Sequence, residues 1–342
     1  MRAQLTPLRL AAALAGLAVA AAVVLYLVPS NDYLLLPDRA HPVAPLVEVK
    51  GGKDPTGPGG IYFVDVFERR ASMFESLFPW IHDGSTVVPA RLIVPPGVSD
   101  KAVRQADLRE MSISQRVAAA VALKRLGYNV VAHPSGIIVA ALDSSSHAVG
   151  KLRPSDVITQ VNGVPTPTIA ELRAQLAKVA PGDSVTLRLS RGTAAAHGET
   201  LVVRVKTMAD TTNPKRAIVG FAPEQAAEIR LPLKVSIDAG NVGGPSAGLA
   251  FALEVMEELG RDVDHGYTVA ATGQIELNGN VTPIGGVKQK TFGVRKAKVD
   301  VFLVPAGENA REARRYANGL RIIPVKNFPQ ALRALATLPP KG

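Results

Sequence analysis

From Leu10 to Val28 the chain reads LAAALAGLAVAAAVVLYLV, 19 residues without a charged side chain. A helix of that length rises roughly 28 Å, about one hydrocarbon core. Arg2 and Arg9 precede the run, and the next basic residue after it is Arg39. The positive-inside rule then makes residues 1–9 a cytoplasmic tail and residues 10–28 a transmembrane helix, with the rest of the chain outside. A cleaved signal peptide is the rival reading. The run is longer than a typical signal h-region, and YLVPS is a poor small-residue cleavage site, which favours an uncleaved single-pass anchor. On either reading residues 30–342 are extracytoplasmic, held at the cell membrane if the anchor stays.

The remaining length of the 342-residue chain is enough for two or three domains, and a 47% hydrophobic composition supplies their cores. The net charge of +10 raises the question of nucleic acid. The basic residues are scattered with no run of four, and aromatics are only 5%, so a solvated basic surface is expected and a nucleic-acid partner is not. With no cysteine there is no disulfide, no thiol catalysis and no Cys-ligated zinc. His41, His82, His133, His147, His197 and His265 stand singly, without an HExxH pair, so neither a metal nor another cofactor is expected.

Along the chain, KGGKDPTGPGG at 50–60 is a loop by composition. IYFVDVFE then alternates as a strand. From Ala106, ADLREMSISQRVAAAVALKRLG predicts a helix with an apolar face at Ile113, Val117, Ala120 and Val121, stopped by Gly127. Residues 127–208 form a block of short strands: GIIVAAL, DVITQV ending in the turn pair Asn162-Gly163, VTLRLS and LVVRVK. One helix interrupts them, opened by the capping box of Thr168 and Glu171. This pattern predicts a small, partly open β-barrel. From residue 229 strand and helix patterns alternate, among them the helix PSAGLAFALEVMEELG, the strand YTVAATGQIE, the turn LNGN and the helix GGVKQKTFGVRKA. The chain as a whole reads as α+β.

The stretch NVGGPSAGLAF at 241–251 carries the chemistry. Two glycines permit a sharp turn, Pro245 suits the first helical position, and Ser246 falls in the first turn, where free backbone N–H groups can hold an oxyanion. A plain Gly-Pro helix start is the bland alternative. The stretch also fits the G-x-S-x-G nucleophile elbow, which needs a later histidine. Only His265 follows, 19 residues on, with Asp262 and Asp264 beside it. A serine can instead use a lysine, whose amine must be held neutral by burial. TPIGGVKQKTFGV offers Lys288 and Lys290, which face different sides of a helix.

Two resemblances follow. AVGKLRPSDVITQVNGVPTPTIAELRAQL resembles the PDZ domains of bacterial envelope proteases, with Lys151 intruding before Leu152 and Ser155 where a glycine usually precedes the aspartate. PDZ domains add a peptide as a strand to a sheet edge. The resemblance places that carboxylate-binding loop at Ser135, Gly136, Ile137 and Ile138. GGPSAGLAFAL followed by ATGQIELNGNVTPIGGVKQK resembles the proteolytic domain of the Lon proteases. That likeness implies Ser246 as nucleophile, Lys290, 44 residues later, as base, and Thr272 as the threonine that bonds the lysine. Lys288 corresponds to the family's non-catalytic lysine. Gly243 stands where the family often has aspartate, and Gln274 where it usually has glutamate.

GGIYFVDV and EMSISQRVAAAVALKRLG are similar to the family's segments that precede the nucleophile, so a Lon-like domain is expected in two pieces, 45–126 and 209–342, with the PDZ-like block inserted. No G-x-x-x-x-G-K-[ST] occurs, so the chain is similar to a membrane-anchored, PDZ-bearing, ATP-independent branch of the family. The implied partners are protein or peptide substrates and, by resemblance, further copies of the chain in a hexamer. An envelope scaffold with a silent protease domain is the alternative.

Overall fold

The computed structural model describes residues 7–53, 57–94, 98–192 and 199–341. Arg2, His197 and residues 54–56 of the glycine-rich loop lie outside the described residues, as does the side chain of Arg9. The chain is mixed α+β. An apolar helix, Pro7–Leu27, comes first, and all of its Leu10–Leu27 window lies outside the protein's packed interior. It leads into the strand Pro29–Pro37, the centre of a three-stranded antiparallel sheet with Val66–Ser72 and Thr86–Pro89.

The sheet that carries the chemistry has five strands in the order His41–Pro42, Gly60–Phe63, Thr268–Ala271, Val301–Pro305, Arg321–Val325. The last four are parallel. Parallel strands are buried on both faces, and alternate side chains serve two cores. Ile61, Phe63, Val269, Ala271 and Leu303 face the helices Gly248–Glu258 and Asp100–Arg125. Ala270, Phe302 and Val304 face Val287–Lys296 and Glu308–Tyr316. One core therefore joins residues 43–122 to residues 239–335.

Between these two runs lies an antiparallel sheet in the order Glu199–Lys206, Ser184–Arg191, Val157–Val161, Val131–Leu142, Phe221–Arg230. It encloses its own core of Ile137, Val139, Leu152, Ile158, Leu172, Val185, Leu187 and Leu189. The Asn162-Gly163 turn has both φ angles positive, at 50° and 80°, as a two-residue hairpin turn requires. Both hydrogen bonds of the Thr168–Glu171 capping box are formed.

Three elements differ from the sequence reading. IYFVDVFE is two strands, because Gly60–Phe63 joins the parallel sheet and Val66–Ser72 the antiparallel one, with a break at Val64-Asp65. The long helix starts at Asp100, six residues early, where Ser99 caps it by accepting from Ala102 N–H at 3.2 Å. YTVAATGQIE is likewise broken, into Thr268–Ala271 and Gln274–Ile275, with Gly273 at φ 147° between them.

Candidate active site

Ser246 does not sit inside the helix. The helix begins at Gly248, and Pro245–Ala247 form a turn closed by Gly248 N–H donating to the Pro245 carbonyl at 3.2 Å. Remote residues fix this turn. Ser114 Oγ on the long helix donates to the Pro245 carbonyl at 2.9 Å, and Gly244 N–H donates to the Asp107 carbonyl at 2.8 Å. From the other side Gly273 N–H donates to the Ser246 carbonyl at 2.7 Å. The N–H groups of Ser246 and Ala247 make no hydrogen bond among the described residues, which leaves two donors beside the hydroxyl.

Lys290 arrives from the helix Val287–Lys296 and is only 3% exposed. Its Nζ lies 2.7 Å from Ser246 Oγ and 3.2 Å from Thr272 Oγ1. Thr272 is wholly buried, and its hydroxyl donates to the Ser246 carbonyl at 3.2 Å. A neutral amine has two N–H bonds and one lone pair. An N–H held by Thr272 leaves the lone pair to the serine hydroxyl. Burial pushes the Lys290 amine from 10.5 down to about 8, against the pull of the Asp65 and Glu68 carboxylates. Lys288 turns elsewhere and donates to the Ser85 carbonyl at 2.6 Å. His265 lies in an exposed turn with Asp262, and among the described residues no histidine bonds Ser246.

The two departures at Gly243 and Gln274 acquire physical reasons. A Cβ on Gly243 would lie 2.7 Å from Asp107 Cβ, so the helix Asp100–Arg125 leaves no room for a side chain there. Gln274 Nε2 donates to Glu224 Oε2 at 3.4 Å, a contact that a glutamate at 274 would turn into repulsion. Ser155 takes φ 66°, a conformation glycine favours, and is held by Oγ donating to Glu110 Oε1 at 3.1 Å and by Arg109 donating to its carbonyl.

Ser135, Gly136, Ile137 and Ile138 fall in an interior strand. Ile137 and Ile138 pair with Ile158 and Val157 on one side and with Gln225 and Glu224 on the other. At Ile137 and Ile138 the strand is therefore paired on both edges, and an added peptide strand has no open backbone there. Of the two outer strands of this sheet, Glu199–Lys206 and Phe221–Arg230, the one beside the serine turn is Phe221–Arg230. It borders a cavity of about 850 Å³ whose walls include Glu224, Ala226, Ile169, Gln274–Asn278, Ser114 and Pro245. Sequence reasoning missed Asp65, Glu68, Asp107 and this edge. The apparent continuity of IYFVDVFE hid Asp65 inside a strand, and the predicted helix from Ala106 contained Asp107 without showing what it would meet.

Two segments of the chain match known families. Residues 212–337 match the family profile of the Lon protease (S16) C-terminal proteolytic domain, and residues 124–207 match that of the PDZ domain. Lon protease 1 of Sorangium cellulosum is 37% identical over 106 residues, 28% of this chain and 13% of that protein. The Lon protease of Chloroflexus aggregans is 30% identical over 148 residues, 42% of this chain and 18% of that protein. This chain thus spans less than a fifth of the length of either relative. Among solved structures, the PDZ domain of an SdrC-like protein from Listeria monocytogenes covers 26% of this chain and 87% of its own, at 19% identity and a TM-score of 0.23. That overlap is too small to add to the profile match. Residues 212–337 are thus similar to the proteolytic domain of the Lon proteases, and the segment before them, 124–207, is similar to PDZ domains.

Proposed function

We propose that the chain is an ATP-independent, membrane-anchored serine endopeptidase, with Ser246 as nucleophile and Lys290 as general base. The observation that carries this reading is the buried Lys290 amine 2.7 Å from Ser246 Oγ. Ser246 Oγ attacks the peptide carbonyl carbon while Lys290 Nζ takes its proton. The oxyanion is held by the N–H groups of Ser246 and Ala247. Collapse breaks the C–N bond, Lys290 returns the proton to the leaving amine, and an acyl-serine remains. Water, deprotonated by the same amine, releases the acid and restores Ser246. Thr272 orients the amine throughout.

The Lon-like domain comprises 45–126 and 209–342, with the PDZ domain inserted at 127–208 and completed by the edge strand Phe221–Arg230. That edge recruits extended peptides, and its cavity leads them to the serine. Substrates are unfolded or exposed segments outside the cytoplasm, reached while residues 10–28 hold the chain in the membrane.

Peptide or casein cleavage by the full chain in detergent tests this, with Ser246→Ala, Lys290→Ala and His265→Ala alongside. The first two variants are expected to lose activity and the third to keep it. Loss in His265→Ala supports a triad hydrolase instead, and an inert parent chain supports a scaffold. With Lys290 at about 8, the neutral fraction and the rate rise about tenfold from pH 7 to pH 9. An unperturbed lysine near 10.4 gives a rise of about a hundredfold.

A further inference from the structure

Several apolar side chains next to the N-terminal helix face water. Met73, Leu77, Trp80 and Leu92 are 38%, 54%, 73% and 70% exposed. A soluble surface rarely gathers large apolar groups without a partner. Their position identifies one. The three-stranded sheet begins at Pro29, two residues after the apolar helix ends, and Pro29 pairs with Ser72 while Asp32 pairs with Pro89. The helical turns Met73–Leu77 and Ala90–Ile93 follow directly from Ser72 and Pro89, so both leave the sheet at the end where the apolar helix enters. Met73 N–H donates to the Val28 carbonyl at 2.8 Å, and Ser76 Oγ donates to Ser30 Oγ at 2.8 Å. The turn Met73–Leu77 also packs on the apolar helix itself.

The charge on this element is turned inward. Glu75, the one acid on Met73–Leu77, is 1% exposed and accepts from Arg69 at 2.5 and 2.9 Å, from Ser72 N–H at 2.9 Å and faces His82 Nε2 at 2.8 Å. Its outward face is left to Met73 and Leu77, one turn apart, and then to Trp80. The Trp80 ring is propped edge-on by Phe78 at 5.2 Å, and Phe78 by Phe74 at 4.8 Å. A tryptophan presented beside the end of an apolar helix suits the membrane–water boundary, where an amphipathic ring is favoured.

We infer that Met73, Leu77, Trp80 and Leu92 form a second membrane contact, a shallow lipid-docking surface that seats the extracytoplasmic part of the chain against the bilayer beside its anchor. This rests on the reading of residues 10–28 as a membrane anchor. It fixes the protease core near the lipid surface instead of leaving it on a free tether.

Trp80 is the only tryptophan in the chain, so its fluorescence reports this surface alone. The full chain is reconstituted into vesicles of phosphatidylcholine and phosphatidylglycerol, with or without lipids brominated at shallow or deep acyl positions. The chain is expected to float with the vesicles, with Trp80 emission shifted to the blue and quenched most by the shallow bromines. Leu77→Asp, at an exposed position, is expected to lower the quenching by half or more with flotation unchanged. A chain that floats with Trp80 unquenched overturns the docking surface and leaves the anchor standing. A chain that does not float overturns both. Quenching untouched by Leu77→Asp refutes the assignment of Leu77 to the surface.

Discussion

Lys290→Met should lower activity and raise stability at the same time. Methionine keeps an unbranched side chain but carries no charge to desolvate. In the folded chain the lysine is moved from 10.5 to about 8 by burial. At ~1.4 kcal/mol per unit, holding the protonated amine in the fold costs about 3 kcal/mol. Between pH 8 and 10.5 the unfolded chain binds this proton and the folded chain does not, so native stability rises with pH across that window, and below about pH 8 the whole cost is present. At pH 7 the methionine variant is therefore expected to be about 1–3 kcal/mol more stable, the lower figure allowing ~1 kcal/mol for each lost bond to Ser246 and Thr272. The gap should shrink by about 3 kcal/mol as pH rises from 8 to 10.5. Urea unfolding of both forms of the full chain in detergent at pH 7, 8, 9 and 10 measures it. Peptide cleavage should meanwhile fall by a factor of at least ~10³. A stability gap that stays constant from pH 8 to 10, or a variant less stable than the parent at pH 7, would refute the argument that burial disfavours the protonated Lys290 amine.

Thr272→Val removes the hydroxyl between Lys290 and the Ser246 carbonyl, and kcat should fall about tenfold, the equivalent of one lost hydrogen bond. Gly243→Asp, which restores the common family residue, should cost about 2 kcal/mol through overlap with Asp107 Cβ. Thermal unfolding should recover most of that loss in the Asp107→Gly background, which removes the overlapping Cβ, and a purely additive pair of variants would contradict the steric reading. Gly293→Ala in the Lys290 helix should destabilise by about 2 kcal/mol or more, because the added Cβ overlaps the Asp38 carbonyl oxygen. At an open helical position the same change is expected to stabilise by about 0.5–1 kcal/mol, so the sign of the change in Tm decides.

Local features were legible in the sequence where a single element sufficed. The Thr168 capping box, the Asn162-Gly163 turn and the placement of Lys288 and Lys290 on different sides of one helix all follow from short-range spacing. The pairing of GGPSAG with GGVKQK came from resemblance, since nothing in periodicity brings residues 44 positions apart into contact. The reading went astray where one run of residues serves two sheets. IYFVDVFE reads as one strand, yet its halves are paired by different partners, and Asp65 at the junction is one of the carboxylates that act on Lys290. That Ile137 and Ile138 are paired on both sides was hidden for a related reason: whether a strand is an edge depends on what pairs beside it.

By itself the sequence determined the apolar N-terminal helix, the Thr168 capping box and the Asn162-Gly163 turn, because each resides in contiguous residues whose physics is local, while the two kinds of domain were legible only by resemblance. Only the tertiary structure decided that Ser114 and Asp107, more than 130 residues upstream, hold the serine turn, and that Asp107 fills the space of the missing Gly243 side chain. It also decided that Phe221–Arg230, rather than Val131–Leu142, presents an open edge to the cavity beside Pro245. These relations arise when one core closes over segments from both 43–122 and 239–335. Strand register and burial then set each group's neighbours, and no stretch of sequence carries them alone.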